Sequence, residues 1–278
     1  MGVAAVSVVS CTTDAEFVMT QTEQLTITAL PGIPDVQPGD ALGPMLLEAV
    51  QRAGLTLQEG DVLVIAQKIV SKAEGQFVVL AEVEPSSEAK ALAAEVGKDP
   101  RKVEVILRES RRIVRAVKRP DANEGLLIAE HRLGFICANA AVDESNLGQE
   151  GALLLLPEQP DQSARLIRDA LQQASGQRVG VIISDTFGRP WRMGLVNVAV
   201  GVAGVPAVVD QVGECDAFGR TLTVTNPALA DELAAASGLL MSKNGRTPAI
   251  LFRGLDWQEA PESSARDLLR PQQEDLFR

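Results

Sequence analysis

Two short apolar runs most constrain how this chain folds, because each has the pattern of a strand buried in a sheet. They lie at residues 61–66 and 179–183, and polar side chains follow each run at once. A buried strand needs other elements to cover it. Sites in α/β proteins tend to lie at the carboxyl ends of such strands. The polar residues after the two runs are therefore the first candidates for chemistry.

The remaining patterns mix helices and strands without strict βαβ order, which predicts an α+β fold with mixed sheets. We expect one composite unit or, as the preferred form, two interleaved lobes. The chain divides into a leader at residues 1–24, a main domain at 25–257 and a polar tail at 258–278. Helical patterns or helix starts occur at residues 45–53, 86–96, 99–100, 163–174 and 228–241, and strand patterns at 25–28, 112–117, 126–129, 135–138 and 248–252.

The composition excludes several classes of protein. The 278 residues include one histidine, so a zinc site built from several histidines is excluded. The net charge of −11 argues against a general binder of nucleic acid or of membrane surfaces. No apolar run approaches the roughly 20 residues of a membrane-spanning helix. The three cysteines cannot all pair with one another and have no CxxC spacing, which favours a reducing compartment and a cytoplasmic protein.

The first polar segment, residues 67–75, follows the apolar run at 61–66. Lys68 and Lys72 at a strand end could meet an anionic ligand, and Gly75 allows close backbone approach. The segment is not a phosphate-binding loop of the G-x-x-x-x-G-K-[ST] type, which is absent from the sequence. Taken alone, a solvated turn with surface lysines is the simpler interpretation.

The second segment carries Asp143 and Asn146, which share a face if the chain forms a helical turn there. Carboxylate and amide oxygens are suitable ligands for Mg²⁺ or Mn²⁺. Asp, Ser and Asn are also the usual residues of turns and caps, so capping is the simpler interpretation of this segment in isolation.

The third segment, residues 184–192, is the hardest to explain by packing alone. Asp185 follows an apolar strand and can ligate a hard metal ion, with the hydroxyl of Thr186 beside it. Arg189 and Arg192 come next, and guanidinium groups suit phosphate or carboxylate. Trp191 stands between Pro190 and Arg192, and this clustering favours a functional site.

Two later segments are weaker signals. Residues 216–220 have the spacing of a hairpin turn, and Gly245 can end the Ala-rich helix, with Lys243 and Arg246 near its negative end. A metal ion combined with basic side chains is the usual equipment for binding a polyphosphate. No Ser-His-Asp or Cys-His set is visible, as expected if the substrate supplies the nucleophile. The residues alone thus predict a metal-dependent enzyme with a phosphate ligand; the alternative is a metal-dependent nucleotide-binding module without catalysis.

Five motifs resemble the coenzyme F420-0:L-glutamate ligase family, in order and in spacing. The resemblance runs from about residue 25 to about residue 255, and the pairing of ISDTFGRPWR with VDESN is specific. The motifs are LPGIPDVQPGD, GDVLVIAQKIVSKAEG, GFICANAAVDESN, VIISDTFGRPWRMG and DAFGRTLTVT.

This resemblance implies an uncommon α+β fold and a homodimer that forms the site. It implies a GTP-dependent ligase that adds L-glutamate to coenzyme F420-0 and then adds further γ-linked glutamates. It also implies Mg²⁺ or Mn²⁺ and a monovalent cation such as K⁺. Because a carboxylate acylates poorly, we expect GTP to convert it to an acyl phosphate, with Lys68, Lys72 and Arg189 neutralising charge.

The family motifs assign roles to individual residues. Asp143 and Asp185 are the expected metal ligands, and Thr186 is the expected ligand of a second metal ion. The catalytic set is Asp143, Asp185, Lys72 and Arg189. Asn146 is an expected nucleotide contact. The other expected nucleotide contacts are Leu30, Pro31, Gly32, Ile33, Gln67, Lys68, Lys72, Met241, Ser242, Lys243, Asn244 and Gly245.

The chain also departs from the family pattern. Archaeal members tend to have Ser-Thr in place of Gln67-Lys68 and a metal-binding Gln in place of Lys243. An ammonium cannot ligate a cation, but it can supply one positive charge. Ala141 replaces the glycine of the ANAGVD pattern. The last residues, 270–278, resemble the junction to a nitroreductase-like domain of some bacterial relatives, and that domain is not in this sequence, as in single-domain bacterial members.

Overall fold

The computed structural model describes residues 24–118, 120–145, 147–148, 151–241 and 245–275. All but the last position of the predicted leader lies outside these ranges. Within them, no helix has the length and apolar character needed to cross a lipid bilayer.

Helices and strands are mixed along the chain, which confirms the α+β class. The strands are β1 (Thr26–Ala29), β2 (Val62–Ala66), β3 (Phe77–Val79), β4 (Ser110–Val117), β5 (Leu126–His131), β6 (Ile136–Ala138), β7 (Ala152–Leu154), β8 (Gly180–Arg189), β9 (Arg192–Ala203) and β10 (Ala249–Arg253). The α-helices are α1 (Leu42–Arg52), α2 (Gln67–Ala73), α3 (Ser87–Val96), α4 (Pro100–Arg108), α5 (Pro160–Ser175) and α6 (Leu229–Ser237). Short 3₁₀ helices cover Leu80–Glu82, Asn139–Ala141, Ala265–Leu268 and Gln272–Glu274.

A five-stranded mixed sheet, in the order β1-β10-β2-β8-β9, forms the main core. Strands β2 and β8 are parallel neighbours, and the other neighbouring pairs are antiparallel. The residues of β2 from Val62 to Ile65 are fully buried, as are Val181, Ile182 and Ile183 of β8. The two apolar runs are therefore adjacent central strands, and the prediction of buried strands is confirmed.

Helices cover the sheet because each has one apolar face. Helix α5 packs on β8 and β9 and also on α1, while α6 packs on β9. Helix α5 buries Ala164, Ile167 and Leu171, which recur at helical spacing. Helix α1 approaches α5 closely at Gly43, where an added Cβ would lie 2.6 Å from the Cβ of Ala170. A small residue at this position therefore sets the distance between the two helices.

A second lobe is built from the middle of the chain, between β2 and β8. It contains the antiparallel sheet β4-β5-β6 and helices α3 and α4, and it has its own cluster of buried apolar residues. Apart from Phe135, the buried residues of the main core come from before α3 or after β6. The two-lobe, interleaved arrangement that the sequence predicts is thus the observed one.

The starts of α3 and α4 follow from local sequence. The hydroxyl of Ser86 accepts a hydrogen bond from the Ala89 N–H at 3.1 Å, and a carboxylate oxygen of Asp99 accepts one from the Arg101 N–H at 2.8 Å. Pro100 occupies the first helical turn, where its missing N–H costs nothing. Side-chain caps of this kind stabilise a helix by about 1 kcal/mol. The predicted helix starts are confirmed at both positions.

Three predicted elements differ from the structure. Residues 67–73 form helix α2 rather than a solvated turn, because Ile69 and Val70 are buried against the core. Strand β8 does not end with the apolar run at residues 179–183 but runs to Arg189, since β9 pairs with it as far as the Arg189–Arg192 pair. Helix α6 ends at Ser237 rather than near residue 241, with glycine at the next position.

His131 follows the strand pattern at residues 126–129, where a surface position beside the next turn is expected, but the structure places it in the interior. The side chain is fully buried; its Nδ1 accepts a hydrogen bond from the Leu133 N–H at 3.0 Å, and its Nε2 lies 3.3 Å from Glu109 Oε2. These contacts close the turn between β5 and β6, the strands that correspond to the patterns at residues 126–129 and 135–138. His131 therefore has a structural position, away from the cavity described below.

Candidate active site

A cavity lies at the point where β2 ends beside β8. Its volume is 860 Å³, within the range of small-molecule sites. The chain after α6 and the segment before α1 complete its walls. The lining residues are Ile33, Pro34, Asp35, Val36, Ala66, Gln67, Lys68, Ile69, Lys72, Gly148, Ser184, Asp185, Thr186, Leu195, Val196, Asn197, Ala235, Gly238, Leu239, Met241, Arg246, Thr247 and Pro248.

The register of the sheet brings together the two polar segments that follow the apolar runs. Ala66 at the end of β2 is the parallel partner of Ser184 in β8. The residues that follow, Lys68 on α2 and Asp185 on β8, therefore line one cavity. This is the carboxyl-end position that open sheets use for ligands.

A β-bulge in β9 marks the point where β8 leaves the core. Ile183 pairs with Gly201, but Ser184 pairs with Ala199, so one residue of β9 is left over. Beyond it, the Thr186 hydroxyl donates a hydrogen bond to Asn197 Oδ1 at 2.9 Å. Bulges commonly re-aim side chains beside active sites. The acidic wall of the cavity thus combines the Asp185 carboxylate with hydroxyl and amide oxygens.

The basic wall comes from helix α2. Lys72 is 9% exposed, and its Nζ lies 2.9 Å from Asp35 Oδ1, whose side chain is 68% exposed. Both residues line the cavity. Because an ion pair with an exposed carboxylate is weak, an anionic ligand can compete with Asp35 for the Lys72 ammonium.

Gln67 adds a buried donor to the same wall. Its Oε1 accepts a hydrogen bond from the Ser71 hydroxyl at 2.7 Å. Within the described part of the chain, its Nε2 has no hydrogen-bond partner. A buried donor without a partner costs about 1–3 kcal/mol. A ligand oxygen in the cavity would satisfy it.

Asp143 lies at the margin of the cavity rather than in its wall. Its Oδ2 is 2.6 Å from the Nζ of Lys68, which does line the cavity. An antiparallel bridge to Leu154 fixes its backbone. Burial opposes ionisation of Asp143, but hydrogen bonds from Lys68 and Ser145 outweigh it and lower the pKa of the carboxyl group. Asp143 is therefore an ionised partner of Lys68.

A left-handed turn immediately before Asp143 sets the direction of this segment. Asn139, Ala140 and Ala141 all have positive φ, between 50° and 55°. Ala140 packs into the core of the second lobe, and Ala141 contacts the main core. Left-handed backbone costs an L-residue about 1–2 kcal/mol. The turn is therefore held by the packing of both lobes.

The replacement Ala141→Gly is expected to stabilise the protein by about 0.5 kcal/mol, because glycine adopts this φ without strain and the gain exceeds its entropic cost. Urea denaturation followed by circular dichroism measures the change. Ala91→Gly, at an exposed position of α3, is the matched control and should destabilise by about 1 kcal/mol. Equal destabilisation by both replacements would contradict the strain argument.

A match to a known protein family covers this site. The sequence model of a family described as F420-0:Gamma-glutamyl ligase matches residues 32–254. This chain belongs to that family. The matched range contains the cavity and, except for Leu30 and Pro31, the motifs on which the resemblance was based, so the F420-0:gamma-glutamyl ligase assignment is confirmed.

Curated relatives of this chain can be aligned with 80% to 91% of its length. The chain is 44% identical over 256 residues to the coenzyme F420:L-glutamate ligase of Methanothermobacter thermautotrophicus, which covers 91% of this chain and 99% of that protein. It is 48% identical over 248 residues to the protein of the same name from Methanopyrus kandleri, with coverage of 87% and 93%. Identity to that of Methanocaldococcus jannaschii is 43% over 223 residues, with coverage of 80% and 86%.

Membership of the F420-0:gamma-glutamyl ligase family makes the chain a ligase. The alternative of a non-catalytic nucleotide-binding module is not supported by this result. The residues discussed above are accordingly candidates for an active site.

The structure places some of the predicted site residues together in the cavity wall. The predicted residues in the cavity wall are Ile33, Gln67, Lys68, Lys72, Asp185, Thr186 and Met241. Leu30 is buried in the main core, and Pro31, Gly32 and Gly245 lie outside the wall. Asn146, Ser242, Lys243 and Asn244 lie outside the described residues, so their roles stay predictions.

Arg189 is not part of the cavity wall of the single chain. Its Nη2 donates a hydrogen bond to the Met193 carbonyl at 3.1 Å across the β8–β9 hairpin. A strand that ended with the apolar run at residues 179–183 would leave Arg189 in a loop near the site, but β8 continues and places Arg189 away from the cavity. Its catalytic role stays a prediction that depends on a second chain.

Sequence reasoning gave no role to two polar residues of the cavity wall, Asp35 and Asn197. Asp35 stands in the first motif but was assigned no role, although a carboxylate in a Pro- and Gly-rich segment is a usable signal. Asn197 lies in an apolar stretch and reaches the site only through the pairing of β8 with β9. Arg246 was interpreted as a helix-end charge, but α6 ends earlier and Arg246 lines the cavity with φ of 50°.

Cys137 lies in the strand pattern at residues 135–138, which predicts a small buried side chain, and this is confirmed. Burial and then the nearby charge of Asp185 raise the pKa of its thiol to about 12. The thiol therefore stays protonated near neutral pH and is not a nucleophile.

The oxygen donors of the acidic wall suit one hard divalent cation. The described residues contain no cluster of three or more His, Cys, Asp or Glu side chains. Mg²⁺ needs no such cluster when substrate phosphates and water supply the remaining ligands. Asp185 and Thr186 are the residues that would hold the ion.

Proposed function

We propose that this protein is a GTP-dependent ligase that joins L-glutamate to coenzyme F420-0 and then adds further γ-linked glutamates. The proposal takes its substrates from the curated relatives, whose name is coenzyme F420:L-glutamate ligase. GTP, the metal ion and the acyl phosphate are proposed from the family motifs and the chemistry of the cavity.

One observation carries the proposal: Asp185 on one wall and Lys72 on the opposite element line a single 860 Å³ cavity. A triphosphate needs both a cation site and direct basic contacts. The cavity provides a carboxylate and a hydroxyl for a cation and the Lys72 ammonium for phosphate oxygens, with the positive charge of Lys68 in the same wall. Gln67 contributes a buried N–H donor without a partner in the described chain.

The proposed reaction proceeds in two steps. An oxygen of the terminal carboxylate of F420-0 attacks the γ-phosphorus of GTP; the bond to the β-phosphate oxygen breaks, giving GDP and an acyl phosphate. The glutamate amine then attacks the acyl carbon, loses a proton, and inorganic phosphate leaves as the amide forms. The protein needs no nucleophile of its own, because both nucleophiles are substrate groups.

The chain contributes positioning and charge. A divalent cation at Asp185 and Thr186 would neutralise phosphate charge when bound. Lys72 would hold phosphate oxygens, and its low exposure limits competition from water. Holding reactants in line is worth several kcal/mol of barrier. A monovalent cation such as K⁺ stays a prediction, to be tested by omission from the assay.

Mass spectrometry of the products tests this function. Purified protein with F420-0, GTP, Mn²⁺ and L-glutamate should yield F420-0 carrying one and then more glutamates. GDP and phosphate should be released only when F420-0 and glutamate are both present. ATP in place of GTP is the control for nucleotide choice. Absence of any glutamylated product under these conditions would overturn the proposal.

A homodimer is proposed from the β8–β9 hairpin. Trp191, Met193 and Leu195 are 79%, 96% and 67% exposed, and Leu195 also lines the cavity. Trp191 has φ of 55° at the second position of the Pro190–Trp191 turn, where glycine is usual. Contiguous exposed apolar residues mark interaction surfaces. A second copy packed on the hairpin would lie next to the cavity.

Met193→Glu is expected to convert the dimer to a monomer, because a buried charge at an interface core costs several kcal/mol. Light scattering after gel filtration measures the mass. Leu166→Glu, an equally apolar residue 65% exposed on α5, is the control and should leave the dimer intact. A dimeric Met193→Glu protein would place the interface elsewhere.

A further inference from the structure

The Lys68 ammonium is held by a complete set of oxygens. Its Nζ lies 2.6 Å from Asp143 Oδ2, 2.7 Å from the Ser145 carbonyl and 2.6 Å from the Ser145 hydroxyl. A lysine ammonium has three N–H donors and no acceptor. Each donor therefore has an oxygen partner.

The carboxylate of Asp143 is occupied in the same way. Its Oδ1 accepts hydrogen bonds from the Ser145 N–H at 2.8 Å and from the Ser145 hydroxyl at 3.0 Å, while its Oδ2 takes the ammonium. Both side chains are largely buried, Lys68 being 19% and Asp143 26% exposed. The pair is thus a closed unit at the edge of the cavity.

The oxygen set around Lys68 is chemically that of a hard-cation site, since carboxylate, carbonyl and hydroxyl oxygens are the ligands that hard cations take. Binding of a second cation to the same set of oxygens is unfavourable. Like charges held about 4 Å apart repel each other, and they do so more strongly at a protein surface than in bulk water. A divalent ion on Asp143 would have to displace the Lys68 ammonium and leave it without its partner.

We infer that the Lys68 ammonium takes the place of a metal ion at Asp143. The active site therefore takes one divalent ion, at Asp185, although the two carboxylates of Asp143 and Asp185 suggest two. This inference rests on the proposed function for the ion at Asp185. Lys68 supplies a fixed positive charge at the cavity wall in place of an exchangeable metal ion. Lys68 is therefore a positioning residue, and its role depends on the lysine that this chain has at this position.

Binding of Mn²⁺ in the presence of a non-hydrolysable GTP analogue tests the inference. Equilibrium dialysis counts bound Mn²⁺, and electron paramagnetic resonance counts the free ion. The wild-type protein should bind one Mn²⁺ per chain. Lys68→Met removes the charge but keeps the length, so the vacated oxygens of Asp143 and Ser145 should accept a second Mn²⁺. Lys68→Arg should keep the count at one.

Lys102→Met is the matched control. Lys102 has the same 19% exposure and also pairs with carboxylates, those of Glu124 and Glu144, outside the cavity. Its replacement should leave the count at one. Asp143→Asn is a second, independent variant if Lys68→Met does not fold; it should also retain one Mn²⁺, because Asp143 holds the lysine rather than the metal ion.

The outcomes separate this inference from the proposed function. Two Mn²⁺ in the wild type, one in Lys68→Met, or none in Asp143→Asn would each overturn the role given to Lys68, while the ligase proposal would stand. No Mn²⁺ in the wild type would overturn the metal ion of the proposed function itself. Loss of the single Mn²⁺ in Asp185→Asn would support both.

Discussion

Asp185→Asn is expected to lower the rate of glutamate ligation by about a thousandfold, which corresponds to about 4 kcal/mol of barrier. Asp185 lines the cavity at the end of the shared β2–β8 edge, where it is the carboxylate placed to hold a divalent cation. Asparagine keeps the shape of the side chain but removes its charge. Ligation should be measured by mass spectrometry at saturating GTP and Mn²⁺.

The fold of Asp185→Asn should be preserved, because the side chain lies at the cavity wall and not in the core. We expect the free energy of unfolding to change by about 1 kcal/mol or less. Asp169→Asn is a suitable control: this carboxylate is 59% exposed on α5 and pairs with Arg168 outside the cavity. Full activity of Asp185→Asn would count against a metal-dependent reaction in this cavity.

Lys72→Met is expected to lower the ligation rate by about a hundredfold, or about 2.7 kcal/mol, the usual loss when one fixed donor to a developing charge is removed. The buried stem of Lys72 keeps its packing in the methionine variant. Because its partner Asp35 is mostly exposed, the lost ion pair should cost little stability. Steady-state kinetics at several GTP concentrations would separate weaker binding from slower chemistry.

The control for Lys72 is Lys98→Met. Lys98 is 8% exposed, close to the 9% of Lys72, and it pairs with the half-exposed Glu124 in the second lobe. Methionine there should change the stability by a similar small amount and leave ligation unchanged. If both variants lose activity equally, the effect of Lys72 is one of folding rather than of phosphate binding.

Local signals predicted the elements that depend on neighbouring residues. The apolar runs of β2 and β8 need a buried sheet wherever they lie, and Ser86, Asp99 and Pro100 specify helix starts through atoms within three residues. Asp185 was identified as a candidate because a carboxylate after a buried strand is exceptional. In each case the physical cause lies within one segment of the chain.

Other features depended on distant partners and were mispredicted or missed. Helix α2 forms because the core buries Ile69 and Val70, although its seven residues are too few for a stable isolated helix. Strand β8 continues to Arg189 only because β9 returns beside it. Asn197 enters the site through that same pairing.

The sequence by itself determined the class of fold, the central strands, the helix caps and the chemistry available after each apolar run. It also carried the motifs that place the chain in its family. The tertiary structure decided which of those residues meet: Lys68 pairs with Asp143, Lys72 and Asp185 line one cavity, and Arg189 bonds across the hairpin. The physical reason is that propensity and capping act over a few residues, whereas convergence depends on the register of strands more than a hundred residues apart.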